Sequence, residues 1–222
     1  TPDAEAELLE LAQRVLPGGG FGNVGHAIIV ARGQGCRVWD VAGREYVDYL
    51  LGPGPMIVGH GRPEMMGVVQ AGVADGTTVF ANNPHGIRLA AEIVDAVACV
   101  DQVRFVSSGS EADMYAMRLM RAHAKKDKIL KFEGGYHGMS DYGLISTTPK
   151  RMANFPEGVA DSAGIPASVR QEMLVAPYND LESVAALIRE HRDELAGVIV
   201  EPFQRLIPPA PGFLEGLRKL TA

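Results

Sequence analysis

The stretch KILKFEGGYHG, residues 128–138, joins a short apolar segment to a glycine-rich turn. Residues 128–132 have the length and composition of a buried strand, and residues 133–138 follow as the turn. The same pattern recurs along the chain, where apolar segments of strand length alternate with segments of helical spacing. The predicted strands are 102–106, 128–132, 172–175 and 198–200, and the predicted helices are 63–74, 86–98, 111–124 and 181–194. This alternation predicts an α/β fold with a mostly parallel sheet covered by helices.

The first 54 residues have a different pattern. Apolar residues within 8–15 repeat at helical spacing, and the Pro-Gly-Gly-Gly run at 17–20 ends this predicted helix. Three short β-branched segments follow, as expected for an antiparallel meander, at 27–31, 37–41 and 46–50. The sequence Gly-Pro-Gly-Pro at 52–55 interrupts regular structure and predicts a domain boundary near residue 54. We therefore expect a small α+β part at 1–54 and the first part of a larger domain at 55–222.

Two further segments carry expectations of their own. The connection 147–169 contains several prolines and glycines and is longer than a linker requires, so it is predicted to be an active-site loop. Residues 212–222 begin a helix without a glycine or proline to end it, which predicts that the chain stops within an element.

Composition and charge argue against several classes of protein. The chain has 46% hydrophobic and 22% charged residues, with a net charge of -6. No apolar run approaches the roughly 20 residues of a membrane span, and no basic cluster beyond 125–128 suggests nucleic-acid binding. The two cysteines, Cys36 and Cys99, have no neighbours at metal-ligand spacing, so neither a metal site nor a disulfide is predicted. The acidic N-terminus lacks the features of a secretory signal, so we expect a cytoplasmic protein. The acidic charge balance favours small molecules as its partners.

The turn Ser107 to Ala112 lies between a predicted strand and a predicted helix, and its residue types suit a phosphate. Small residues let the backbone approach an anion closely, and the first N–H groups of a helix lack acceptors within the helix. Ser108 and Ser110 add hydroxyl donors on either side of Gly109. The alternative is structural: Ser110 could be an N-cap residue, with Asp113 as its partner three residues later.

Two other strand ends carry candidate site residues. Tyr136 and His137 follow the strand 128–132, and ligands of open α/β sheets bind at the carboxyl ends of strands. The ring of Tyr136 could stack on a planar heteroaromatic ligand, or the segment could be an ordinary glycine-rich turn. Glu201 ends the strand 198–200, where a carboxylate needs a hydrogen-bonding or cationic partner, or solvent. An ion pair with an arginine is the alternative to a site role.

In their order and spacing, the motifs of the chain resemble those of the class III aminotransferases, in the branch of glutamate-1-semialdehyde aminomutase. The resemblance runs from about Leu16 to the end of the chain. It is carried by GCRVWDVAGREYVDY at 35–49, GPM at 54–56 with GH at 59–60, SSGSEA at 107–112, GYHG at 135–138 and VIVEP at 198–202. The resemblance implies a fold-type I transferase with a seven-stranded type of sheet, a pyridoxal 5'-phosphate cofactor and a homodimer.

The family pattern also implies roles for individual residues. Ser108, Gly109 and Ser110 would hold the cofactor phosphate, Tyr136 would stack on the pyridine ring with His137 beside it, and Glu201 would line the pocket. In the family, an aspartate that pairs with the ring nitrogen and a lysine that forms the Schiff base follow further along the chain. Neither matches a position up to Ala222, so no catalytic residue is identified, the C-terminal half is expected to be absent, and this chain alone is expected to be inactive.

The full-length enzyme is expected to move an amino group between an amine or amino acid and an oxo acid, aldehyde or ketone. Two departures from the aminomutase favour this over an intramolecular transfer: Gly52-Pro53 replaces its Ser-Trp pair, and the loop after Gly19 lacks its Pro-Val-Arg. Arg32, Arg37, Arg88 and Arg151 are possible carboxylate ligands. Three alternatives remain: the aminomutase reaction, a short non-catalytic protein that binds or dimerises, and a Rossmann-type nucleotide-binding domain. The last lacks the expected Gly-x-Gly-x-x-Gly.

Overall fold

A computed structural model of the chain describes residues 2–21, 28–52, 54–148 and 154–222. The chain divides into two compact units, Thr1–Leu89 and Ala90–Ala222. The boundary predicted near residue 54 lies within the first unit, and the assignment of 1–54 and 55–222 to separate domains stays a prediction. No helix in the described part of the chain is long and apolar enough to cross a membrane.

The first unit contains the predicted lead helix and meander. Its elements are helix α1 (Pro2–Val15), strands β1 (Val30–Gln34), β2 (Arg37–Asp40) and β3 (Glu45–Val47), helix α2 (Pro63–Ala74), and the beginning of helix α3 (Pro84–Ala96). The three strands pair antiparallel in the order β1-β2-β3, which confirms the meander. Strand β1 extends through Gly33 and Gln34, which the sequence placed in the turn, and Ala27 lies outside the described residues. Helix α2 has the predicted bounds.

The second unit is built around a parallel sheet. Its elements are helix α4 (Gly109–Ala124), strand β4 (Lys128–Phe132), helix α5 (Ala167–Gln171), strand β5 (Met173–Ala176), helix α6 (Leu181–Glu190), strand β6 (Leu195–Val198) and helix α7 (Phe213–Leu220). The strands have the order β5-β4-β6 and both pairings are parallel. This confirms an α/β fold with a parallel sheet. The described residues supply three strands of the larger sheet that the family resemblance implies.

The prediction of a strand at 102–106 is wrong for the described part of the chain. These residues belong to no strand, and the side chain of Phe105 is 50% exposed. Their β-branched and aromatic composition has strand character, but a strand forms only beside a neighbour with which its backbone can pair. No described segment provides that neighbour.

Other boundaries differ by a few residues. Helix α3 begins two residues before the predicted start at 86, and helix α6 ends at Glu190 rather than 194 because His191 caps it. Residues 167–169 of the predicted irregular loop form the start of α5, and residues 149–153 lie outside the description.

Buried side chains cover both faces of the parallel sheet. Because side chains alternate along a strand, Leu130 and Phe132 face one side of β4, whereas Ile129 and Lys131 face the other. The first face packs with α6 and α7, in a cluster of Leu130, Phe132, Leu174, Ala176, Val184, Leu187, Phe213 and Leu217. The second packs with α4, in a cluster of Met117, Ile129, Ile145, Met173 and Val175. Lys131 therefore occupies a core position on the face of β4 that carries α4.

Candidate functional site

The N-terminus of α4 carries the three serine and glycine residues predicted to bind an anion. Ser108 is the N-cap, and its Oγ accepts the N–H of Glu111 at 3.2 Å. The Glu111 carboxylate accepts the N–H of Ser107, the residue before the N-cap, at 2.6 Å, so both side chains hold the start of the helix. The alternative that Ser110 caps this helix is therefore wrong: the helix begins at Gly109, so Ser110 already lies in its first turn. A Cβ built on Gly109 would have no atom within 4 Å, so the space beside it is open.

The backbone of the turn 133–136 is held by side chains that come from two parts of the chain. Four hydrogen bonds do this: Gln204 Nε2 to Glu133 O at 2.7 Å, Arg205 Nε to Gly134 O at 3.1 Å, Lys131 Nζ to Gly135 O at 3.0 Å, and Tyr136 N to Glu201 Oε2 at 3.1 Å. Three of these side chains follow β6, and Lys131 belongs to β4. The segment after β6 therefore fixes the turn after β4.

The turn at 107–112, here called the serine turn, is in contact with the turn at 133–138, here called the tyrosine turn. The Oγ of Ser110 accepts the N–H of Met139 at 3.0 Å. A Cβ added to Gly138 would lie 2.5 Å from the Cα of Ser110, so this approach requires glycine. Burial and the charge of Glu201 raise the pKa of Asp113 in the first part of α4, which indicates that Glu201 also lies near this helix. The structure thus brings the segments of Ser108 to Ser110, Tyr136 and Glu201 together.

Tyr136 and His137 are adjacent in sequence but face different surroundings. The side chain of Tyr136 is 41% exposed, and the Arg205 guanidinium carbon lies 5.3 Å from its ring centroid. His137 is only 4% exposed, and its Nε2 has no hydrogen-bond partner among the described residues. Burial, with the nearby charges of Lys131 and Arg205, lowers the pKa of His137 to about 4, so its ring is neutral near pH 7. The tyrosine is open to a ligand, whereas the histidine belongs to the interior.

Lys131 is fully buried, although it is a charged residue. Its ammonium group donates to the carbonyl oxygens of Gly135 and Ile145. Burial lowers the pKa of Lys131 to about 8, and the carboxylates of Asp161, Glu133 and Glu201 oppose that shift. Sequence reasoning assigned this lysine no role. The signal was its position two residues after Ile129 in the strand KILKF, since residues two apart lie on the same face of a strand.

The arginines considered as carboxylate ligands lie elsewhere in the chain. Arg32 stacks on the ring of Trp39, with 3.6 Å from its guanidinium carbon to the ring centroid, and Arg37 pairs with Glu45. Arg88 lies in α3, and Arg151 is outside the described residues. The arginine that the structure does place beside Tyr136 is Arg205, which sequence reasoning missed.

The family model for class-III aminotransferases matches residues 21–222. The chain belongs to this family. A curated family relative from Bacillus licheniformis, glutamate-1-semialdehyde 2,1-aminomutase 2, is 41% identical over 96% of this chain and 51% of its own length. This chain spans about half the length of the curated relatives that it matches.

Two solved structures of transaminases share the fold of this chain over about half of their own length. An omega-transaminase from Sphaerobacter thermophilus matches with a TM-score of 0.92 and 36% identity, over 98% of this chain and 52% of its own. A transaminase described as having PLP bound matches with a TM-score of 0.90 and 32% identity, over 98% and 52% of the two chains. These likenesses agree with the fold-type I architecture that the sequence motifs imply.

Proposed function

We propose that the full-length protein binds pyridoxal 5'-phosphate and transfers an amino group between an amine or amino acid and an oxo acid, aldehyde or ketone. The observation that carries this proposal is the contact between the serine turn at the start of α4 and the turn that presents Tyr136. One turn suits a phosphate and the other presents an aromatic face. Glu201 accepts the N–H of Tyr136 and lies near the first part of α4. A phosphorylated aromatic cofactor has this combination of groups.

The residues present fit such a cofactor. The first N–H groups of α4 and the positive end of its dipole favour an anion in the open space beside Gly109. Ser108 and Ser110 each use Oγ to accept a backbone N–H, which leaves the hydroxyl proton free to donate to phosphate oxygens. The exposed Tyr136 provides a stacking surface for the pyridine ring.

Within this site, the residues of the chain would bind the cofactor and orient its ring. The bound cofactor supplies an electron sink for the reaction at the amino-bearing carbon. Glu201 fixes the backbone of Tyr136 by accepting its N–H at 3.1 Å through Oε2. We propose that His137 supports the turn from the interior, because its ring is buried and neutral. The lysine and aspartate that complete the chemistry in this family are proposed to lie beyond residue 222.

Two reactions compete within the proposal. Intermolecular amino transfer is favoured by the two solved transaminases and by the departures from the aminomutase at Gly52-Pro53 and after Gly19. The aminomutase reaction is the second candidate, because the curated relatives at 41% identity carry that name. The family resemblance further leads us to propose a homodimer.

Cofactor titration followed by a substrate panel tests these proposals on the full-length protein. We expect saturable binding of pyridoxal 5'-phosphate, weakened by roughly threefold to tenfold in Tyr136→Leu because a stacking contact contributes about 0.5–1.5 kcal/mol. Amino transfer from amines or amino acids to 2-oxo acids is expected. Conversion of glutamate semialdehyde to aminolevulinate as the sole activity would support the aminomutase instead. Absence of cofactor binding would refute both, and the 222-residue chain alone should show no turnover.

A further inference from the structure

The strongest anomaly in the second unit is a charged side chain at a core position of the sheet. Lys131 has no exposed surface, and it shares its face of β4 with Ile129. Burying an ammonium group costs several kcal/mol, whereas an apolar side chain of similar length would occupy the position without that cost. Packing alone therefore does not explain a lysine at this position.

The hydrogen bonds of Lys131 point to its role. The carbonyl of Gly135 and the N–H of Tyr136 belong to one peptide group. The oxygen of that group accepts from Lys131 Nζ at 3.0 Å, and the nitrogen donates to Glu201 Oε2 at 3.1 Å. A cation and a carboxylate thus hold opposite ends of a single peptide plane.

The two hydrogen bonds fix the backbone of Tyr136, which lies among glycines. Gly134 has a φ of 80° and Gly138 a φ of 79°, so the turn uses backbone conformations in which side-chain sterics restrict the chain little. Without external bonds, the Gly135–Tyr136 peptide could rotate and carry the tyrosine ring with it. Lys131 also donates to Ile145 O, which anchors its ammonium group to a second segment of the core.

We propose that Lys131 is a positioning residue for Tyr136: together with Glu201 it clamps the Gly135–Tyr136 peptide and so sets the plane on which the cofactor ring stacks. This inference rests on the proposed function, because the effect that it predicts is a change in cofactor affinity. The clamp itself is a property of the protein without cofactor. Lys131 acts through Tyr136 and touches neither cofactor nor substrate.

A double-mutant cycle in the full-length protein tests the proposal. Lys131→Met removes the ammonium group and keeps most of the side-chain length. We expect it to weaken binding of pyridoxal 5'-phosphate by at most the roughly threefold to tenfold lost in Tyr136→Leu, because Lys131 acts only through the stacking of that ring. In a Tyr136→Leu background the same change should leave binding within about twofold, since the ring that it positions is gone. Competition by inorganic phosphate, which occupies only the serine turn, should be unchanged.

Lys126→Met is the matched control. Lys126 also donates to a backbone carbonyl, that of Arg192, at 2.6 Å, but it lies between α4 and β4, outside the sheet, and this acceptor is not in the turn. Its loss should leave cofactor affinity at the wild-type value. Equal effects of Lys131→Met with and without Tyr136, or an equal loss of phosphate affinity, would overturn the positioning role.

A measurement on the wild-type protein keeps the proposal testable if Lys131→Met does not fold. Amide-resolved hydrogen exchange without cofactor should show the Tyr136 N–H protected, despite the exposure of its side chain, because Glu201 holds it. Exchange at the rate of an unprotected amide would overturn the clamp. Failure of wild-type protein to bind cofactor, with Tyr136 still protected, would instead refute the proposed function and leave the clamp standing.

Discussion

Replacing Gly138 with alanine tests whether the contact between the serine turn and the tyrosine turn is as tight as the structure indicates. The new Cβ would lie 2.5 Å from the Cα of Ser110, whereas ordinary van der Waals contact begins at 3.4 Å. One of the two turns must therefore move by about 1 Å. Gly138 also has a φ of 79°, which an L-residue adopts at a cost of roughly 1–2 kcal/mol. With roughly 1–3 kcal/mol for overpacking, we expect a total loss of about 2–5 kcal/mol.

Gly164→Ala separates the two causes. Gly164 has a φ of 89°, but its Cβ would have no atom within 4 Å, so this variant bears the backbone cost alone. Urea unfolding of both variants in the full-length protein gives the stability difference, and cofactor titration gives the effect on the site. We expect Gly138→Ala to be the less stable variant and to bind pyridoxal 5'-phosphate about tenfold or more weakly, because Ser110 is displaced. If both variants lose the same stability, or if Gly138→Ala binds cofactor normally, the close contact is refuted.

Three further variants test the electrostatics and the helix caps. His137 has a pKa of about 4, below the ordinary 6.5, so the unfolded chain binds a proton in that window and the folded chain does not. The free energy of unfolding should therefore fall by about 3 kcal/mol as the pH drops from 6.5 to 4, and His137→Gln should lack this component; parallel urea-unfolding curves across this pH range would contradict it. Ser108→Ala should cost about 1 kcal/mol of stability and also weaken cofactor binding, whereas Asp180→Ala, which removes the cap of α6, should lower stability without changing cofactor affinity.

Local pattern was sufficient to predict most of the second unit. Strand β4 has its predicted bounds because a short apolar run beside a glycine-rich turn has few alternatives. The parallel order follows from the alternation of strands and helices. The failure at 102–106 has the opposite cause, since strand formation depends on a neighbour that composition does not reveal. The structural alternative named Ser110 as the cap, whereas Ser108 is the cap, because two serines flank one glycine and only backbone conformation distinguishes them.

The sequence indicated the candidate ligand-binding residues but not the side chains that hold the tyrosine turn in place. Ser108 to Ser110, Tyr136 and Glu201 stand at segment ends where ligands of α/β folds bind. Gln204 and Arg205 support the turn across 71 positions of sequence, a distance over which residue type carries no information about contact. Lys131 looked like one lysine among several, because its burial follows from the packing of α4 on the sheet.

The close approach of the tyrosine turn to the serine turn explains both the glycines in the tyrosine turn and the side chains that hold it. The approach of Gly138 to Ser110 excludes any side chain at Gly138, so the turn must contain a residue with high conformational freedom. A turn of that kind does not hold an aromatic ring in one orientation by backbone sterics alone. Side chains outside the turn must supply the missing constraint, and charged ones do so most strongly because their hydrogen bonds exceed those of neutral groups. The buried charge at Lys131 and the backbone freedom at the glycines are therefore coupled. A substitution that restricts the glycine backbone would make the hydrogen bond from Lys131 less important for holding the ring.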